Sequence, residues 1–405
     1  MLDWNTLSLK LDSLVVFHGL EQQPVFSAYQ GFLRALDGSE SQRVRAYCAL
    51  TEVVYRKGFD LSLVLLEELC QDENLYLSAL AAHGEPAPLL TDRALQELFI
   101  LQELVELRCQ DLQEAVRTAL PLPRFSVSSV DLSAVYHERA AAVSTQGWGI
   151  FAKHTMFYVQ DGTITPASPA DDTSFSSLSC YEEQRQQLLD NTKALLAGLP
   201  AANTLLYGDA GTGKSSSVKA VVNSLASQGL RLIELQKHQL RELPRLMAQL
   251  EAFPLKFILF LDDLSFQQRD DDFNALKAAL EGSSCAKAKN VAIYATSNRR
   301  HLVREAFSDR EGDDIHLQDT LQETLSLSAR FGATILFSVP GKELYLQIVH
   351  DLAQDAALVI DQAVLDAEAE RFARERYGRS PRAARQLVDA LLASAGIQDS
   401  EACST

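Results

Sequence analysis

The sequence predicts an α/β protein, a parallel sheet flanked by helices, with a helical segment after it and an all-helical domain before it. From Asn203 onward strand-like and helix-like runs alternate, which implies βαβ units and a parallel sheet. One of those runs, "FILFLDD" from Phe257, puts five large apolar residues in a row, as in a strand buried on both faces. Residues 1–120 instead place apolar residues at three- and four-residue spacing with polar ones between, the period of amphipathic helices.

Taken in order, the helical domain contains "LSLVLLEEL" from Leu61 and "ALQELFILQELVELR" from Ala94. Gly38-Ser39, Gly58 and the stretch from Gly84 to Pro88 separate its helices. It is acidic and has no fixed repeat, which fits either a solvated helical surface or a docking domain for a protein partner. Pro121-Leu-Pro123 closes it, and residues 121–178 read as a linker with a small β element. There Asp161-Gly162 lies between two β-prone runs, a two-residue hairpin signal.

Residues 179–340 read as the α/β core. It opens with the helical pattern "SCYEEQRQQLLDNTKALLAG" and continues through the strands "TLLYG", "RLIELQ", "FILFLDD", "NVAIYATSN" and "ATILFSVP", with a helix expected up to about Ser328. Residues 341–395 carry three or four helices and no strand, and 396–405 read as a disordered polar tail.

Bulk properties narrow the function classes. The net charge of −17 and pI near 4.9 disfavour non-specific binding to nucleic acid, whose affinity comes from clustered Lys and Arg. No apolar run reaches membrane-span length, and "MLDWNTLSLKLD" lacks the basic and hydrophobic regions of a signal peptide. The six cysteines (48, 70, 109, 180, 285, 403) are scattered, which speaks against a disulfide framework or a thiolate zinc site and suits a reducing cytoplasm. The histidines show no ligand spacing such as HExxH.

The chemistry sits in the α/β part. Two carboxylates, Asp262 and Asp263, directly follow the buried strand, a costly placement unless something positive waits there. Gly208-Asp209-Ala210-Gly211-Thr212-Gly213-Lys214-Ser215, followed by Ser216, fits G-x-x-x-x-G-K-[ST] between a strand and a helix. Its glycines let successive N–H groups turn inward on a phosphate, and the following helix adds its positive dipole end. Lys214 is then expected to reach the β- and γ-phosphates of ATP, and the Ser215 hydroxyl to bind Mg²⁺. That ion is the positive partner: Asp262 is expected to hold it, and Asp263 to orient and deprotonate the attacking water. A later strand is expected to lie between the loop strand and the acidic one, bringing Asn298 to the γ-phosphate, with Thr296 as the fallback.

"GDAGTGKS", "FLDD", "ATSN" and "SARFG", followed by helices, resemble the AAA+ ATPases in order. Over roughly residues 145–395 the runs "YGDAGTGKSSSVKA", "KFILFLDDLSF", "YATSNRRHLV" and "LSLSARFG" resemble a bacterial AAA+ ATP-binding family, domain of unknown function 815. The resemblance implies a homo-oligomer in which Arg330 is an arginine finger acting on a neighbour's γ-phosphate. It implies that Arg382 in the helical lid contacts nucleotide phosphate, with Arg385 as rival, and that Tyr181 and Glu182 line an adenine pocket. Two positions depart from the family pattern: Asp263 stands where Glu is common, and Ala329 where an acidic residue precedes the finger.

The function these residues imply is an oligomeric ATPase that binds and hydrolyses Mg-ATP to remodel a protein or nucleoprotein partner. Asp263 and the acidic helical domain equally suit a nucleotide-gated switch or adaptor with slow hydrolysis. Similarity of "SARFGATILFSVPGKELYLQIVHDLA" to replication-initiator ATPases, with a cluster of Arg299, Arg300 and Arg304, suits a DNA-acting loader.

Overall fold

A computed structural model describes residues 3–169, 171–265, 271–281, 288–298, 330–375 and 378–402. The chain forms two compact units, Met1–Lys153 and His154–Thr405.

The first unit is helical: α1 (Trp4–Asp12), α2 (Pro24–Ala35), α3 (Glu40–Lys57), α4 (Leu61–Gln71), α5 (Leu75–His83), α6 (Pro88–Val105), α7 (Cys109–Val116), α8 (Leu132–Ala141), α9 (Val143–Gln146) and α10 (Ile150–Lys153). Caps fix several starts; Ser39 and Gln42 form a reciprocal capping box at α3. Two buried glutamates serve backbone N–H groups that begin other elements. Glu68 accepts from Val25 and Phe26, and Glu97 from Val15, Val16 and Phe17. The unit runs past residue 120, where sequence periodicity ends it, because Leu132, Tyr136 and Ala140 of α8 are buried; Tyr136 packs edge-on against Phe17 at 5.2 Å.

The second unit holds one seven-stranded sheet: β1 (Met156–Gln160), β2 (Thr163–Pro166), β3 (Thr204–Gly208), β4 (Leu230–Leu235), β5 (Lys256–Leu261), β6 (Val291–Ser297) and β7 (Ala333–Phe337). The order is β2-β1-β4-β5-β6-β3-β7, and every pairing is parallel except β1 with β2. The hairpin turns at Asp161-Gly162, both with positive φ. It belongs to this sheet rather than to a linker, since β1 pairs in parallel with β4 and buries Met156 and Phe157.

The helices α11 (Glu182–Leu196), α12 (Lys214–Leu225), α13 (Leu243–Glu251) and α14 (Asp271–Glu281) accompany the sheet. Phe257–Leu261 and all of β6 are buried, the central-strand pattern that their apolar runs predict. After β7 come α15 (Lys342–Asp355), α16 (Gln362–Glu375) and α17 (Pro381–Ala402), packed around Tyr345, Ile348, Val349, Leu365, Ala384 and Val388. The last of these continues to Ala402, beyond residue 395 where the sequence pattern stops. The parallel sheet flanked by helices, the helical segment behind it and the helical first unit together form the expected fold class. The helix expected up to Ser328 lies outside the described residues.

Candidate functional site

A cleft of about 650 Å³ opens where β3, β5 and β6 end, between the sheet and the C-terminal helices. Its floor is the loop from β3 to α12. Gly208, Gly211 and Gly213 all have positive φ, at 139°, 78° and 89°. At Gly208 there is a second reason for glycine: a Cβ would lie 1.9 Å from the Phe337 carbonyl oxygen of β7. Residues Ala210–Ser217 line the cleft, so the loop and the first turn of α12 face it together.

Lys214 is buried, and its Nζ donates to the carbonyls of Gly208 (2.8 Å) and Asp209 (2.7 Å) and to Asn298 Oδ1 (3.1 Å). Burial pushes its pKa down, while Asp209, Asp262 and Asp263 pull it back up.

The adjacent aspartates have different partners. Asp262 Oδ1 accepts from Ser215 Oγ and from Thr296 Oγ1, each at 2.5 Å. Asp263 adopts φ 50°, which turns the chain sharply at the end of the strand; its N–H donates to Thr296 Oγ1 at 2.9 Å. Its carboxylate accepts from the Asn298 amide at 2.8 Å. Asn298 thus bridges Lys214 and Asp263. This is possible because β6 lies between β3 and β5, the interposed strand that the sequence argument requires. Thr296, read from sequence as a substitute for Asn298, instead braces both aspartates.

The C-terminal helices meet the loop at Arg382, whose N–H donates to the Gly211 carbonyl at 3.2 Å. Arg382 and Arg385 both line the cleft, so the geometry leaves both as candidates. Tyr181 lines it as well; its ring lies 5.3 Å from that of Phe337 and its hydroxyl donates to Ser338 O at 2.6 Å. Glu182 does not line the cleft and pairs at 3.7 Å with Arg185. Arg330 is separated from β7 by Phe331 and Gly332 and is not among the cleft-lining residues. Arg299, Arg300, Arg304 and Ala329 lie outside the described residues.

Two features escape the sequence motifs. Arg185 lines the cleft and is only 7% exposed. Asp171 ties the segment before α11 to α12, accepting from Lys219 at 2.9 Å and from Thr173, itself a lining residue. Burial raises the Asp171 pKa, but the hydrogen bonds from Thr173 and Lys219 outweigh this and hold it below the ordinary value.

The protein family described as "protein of unknown function (DUF815)" matches residues 152–395. Among solved structures, the RuvB Holliday junction branch migration motor of Thermotoga maritima is similar at 16% identity and a TM-score of 0.37, covering 54% of this chain and 63% of that one. A single-substitution variant of that protein is similar at 17% identity and a TM-score of 0.38, with the same coverage. This chain thus spans less than two thirds of their length. No curated protein matches in sequence.

Proposed function

The chain belongs to the DUF815 family, proteins of unknown function, and on that footing we propose that its cleft binds Mg-ATP and hydrolyses it. The observation that carries this reading is the Lys214–Asn298–Asp263 chain of hydrogen bonds, set beside the Ser215–Asp262 pair in one cleft. In this reading the loop N–H groups and Lys214 hold the β- and γ-phosphates, and Arg382 or Arg385 reaches them from the helical lid. Water attacks the γ-phosphorus, the bond to the bridging oxygen breaks, and Asp263 takes the proton of the water that Asn298 orients.

Ser215 and Asp262 suit Mg²⁺: both offer hard oxygens, their side chains meet at 2.5 Å, and such an ion needs only one or two protein ligands. When bound, it neutralises phosphate charge. Arg330 acts on the neighbouring copy in a homo-oligomer, and the acidic helical unit receives a protein partner that turnover remodels. The setting is the cytoplasm.

The distinct partners of the two aspartates supply the test. Asp262→Ala should weaken Mg²⁺-dependent nucleotide binding. Asp263→Asn should bind Mg-ATP normally and hydrolyse it slower by roughly 10² or more, because an amide cannot take a proton. Equal hydrolysis by Asp263→Asn and the unaltered protein would remove Asp263 as the base. Tight binding without turnover in the unaltered protein would instead favour the switch reading, which the short side chain of Asp263 supports.

A further inference from the structure

We propose that Thr296 is a positioning residue for the acidic pair: it holds Asp262-Asp263-Leu264 in a turn that gives Asp262 Oδ2 to the cation and Asp263 to the water. The inference rests on the Mg-ATP reading and deepens it, because a phosphate loop and an acid pair do not by themselves require a hydroxyl at this place.

Adjacent carboxylates are chemically alike, so something in the fold must sort them. In a regular strand consecutive side chains point to opposite faces, and continuing β5 unchanged would turn one of the two away from the cleft. Both line it, because Asp263 leaves the strand with φ 50°, a left-handed conformation that side chains disfavour. Thr296 holds that turn through hydrogen bonds to three consecutive residues. Its Oγ1 donates to Asp262 Oδ1 at 2.5 Å and accepts from the Asp263 N–H at 2.9 Å, and its carbonyl accepts from the Leu264 N–H at 2.7 Å. A hydroxyl can give and take at one atom, which a methyl group or an amide nitrogen cannot. The register puts it there: Ala295 of β6 pairs with Leu261 of β5, so Thr296 comes level with Asp262. Thr296 is buried, and its hydroxyl is committed to these partners.

The same bonds decide which oxygen of Asp262 remains. Oδ1 takes Ser215 Oγ at 2.5 Å, Thr296 Oγ1 at 2.5 Å and the Asp263 N–H at 3.2 Å, whereas Oδ2 accepts no hydrogen bond among the described residues. Oδ2 is therefore the oxygen that keeps its capacity for a hard cation in the cleft. Asp263 meanwhile meets the Asn298 amide. Ser215 is itself a ligand in this reading and shares its oxygen with the ion; Thr296 has no such second duty and keeps Oδ1 in place. Hydrogen bonds that orient a metal-binding side chain are worth roughly ten- to hundredfold in metal affinity.

The test measures ATP binding by calorimetry on the full chain, across a Mg²⁺ titration and in excess EDTA. Thr296→Val keeps shape and removes the hydroxyl. It should raise the Mg²⁺ concentration needed for half-maximal gain in affinity by roughly tenfold or more, and leave binding in EDTA unchanged. Thr296→Ser keeps the hydroxyl and should restore the ordinary Mg²⁺ dependence. Retained binding in EDTA shows in each variant that the phosphate loop is folded. If Thr296→Val does not fold, Thr296→Ala, which opens space for a water to serve the Asp263 N–H, should give the same Mg²⁺-specific loss. An unchanged Mg²⁺ dependence without the hydroxyl, equal loss with and without Mg²⁺, or a folded Thr296→Ser protein that still needs extra Mg²⁺ would each overturn the positioning role. If the unaltered protein binds no ATP, or gains nothing from Mg²⁺, the Mg-ATP reading falls and this inference with it.

Discussion

Replacing Lys214 by methionine separates the two jobs its ammonium could have. The substitution keeps length and apolar stem while removing the charge. On stability, opposing terms nearly cancel. The ammonium makes three hydrogen bonds, to Gly208 O, Asp209 O and Asn298 Oδ1, and such bonds to a charge are worth about 1.5–3 kcal/mol each where the charged group stays well solvated. Burying the ion costs several kcal/mol in return, the same effect that depresses its pKa. The net change in unfolding free energy should stay within about 1 kcal/mol. On binding there is no such cancellation. Two charge-assisted bonds to phosphate oxygens are lost, roughly 3–4 kcal/mol, or a factor of about 10² to 10³ in Kd. The lower end is favoured, because a phosphate must displace part of the carbonyl set that already holds Nζ. Urea unfolding and Mg-ATP calorimetry on the same preparation read both numbers. Affinity within threefold of the unaltered protein would refute the phosphate contact. A loss of stability above about 3 kcal/mol with modest change in affinity would make Lys214 a staple of its own loop.

Arg330→Ala should bind ATP normally and hydrolyse it poorly, and mixing it with Lys214→Ala should restore part of the turnover, as one intact loop meets one intact finger. Mixed oligomers that stay inactive would rule out action in trans. In the helical unit, burial pushes Asp72 up to about 6 from 3.8, and its Oδ2 has no hydrogen-bond partner. A raised folded-state pKa penalises the ionised folded protein, so this carboxyl costs stability as pH rises from 3.8 through about 6. Asp72→Asn should therefore stabilise the protein at pH 7 by up to about 3 kcal/mol, with the gain vanishing below pH 4; thermal melts across that range would show a pH-independent gain if the reasoning is wrong.

The parts of the site legible in sequence are those whose chemistry demands adjacent residues. Gly208–Ser215 and Asp262-Asp263 announce themselves because a phosphate cradle and a strand-end acid pair are contiguous. The interposed β6 follows from the same logic, since a polar group was needed between the loop and the acids. Arg185 was not legible: inside "EEQRQQLL" it has the appearance of a solvated helix residue. Its burial depends on the bend at Cys180 and Tyr181, and no spacing rule announces two consecutive left-handed residues without glycine. The division at Lys153 was hidden for a similar reason. Pro121-Leu-Pro123 marks a local break, but α8 returns to the first unit through tertiary contacts of Tyr136 and its neighbours. Thr296 was underrated because its hydroxyl matters only once β5 and β6 lie side by side.

The strand order also bears on how the molecule is made. The phosphate-loop strand β3 is early in its sheet by sequence, yet its two neighbours are β6 and β7, which begin at Val291 and Ala333. β4 and β5, by contrast, pair with each other across a short stretch of chain, so this half of the sheet has a local route to assembly. During synthesis from the N-terminus, β3 has no partner on either side until residues near 291 have emerged. The candidate site is therefore a late event in biogenesis, closed by the same strand that delivers Asn298. Ribosome-stalled chains ending before Val291 should leave Gly208–Ser215 open to protease, and early protection there would show that the loop forms without its sheet neighbours.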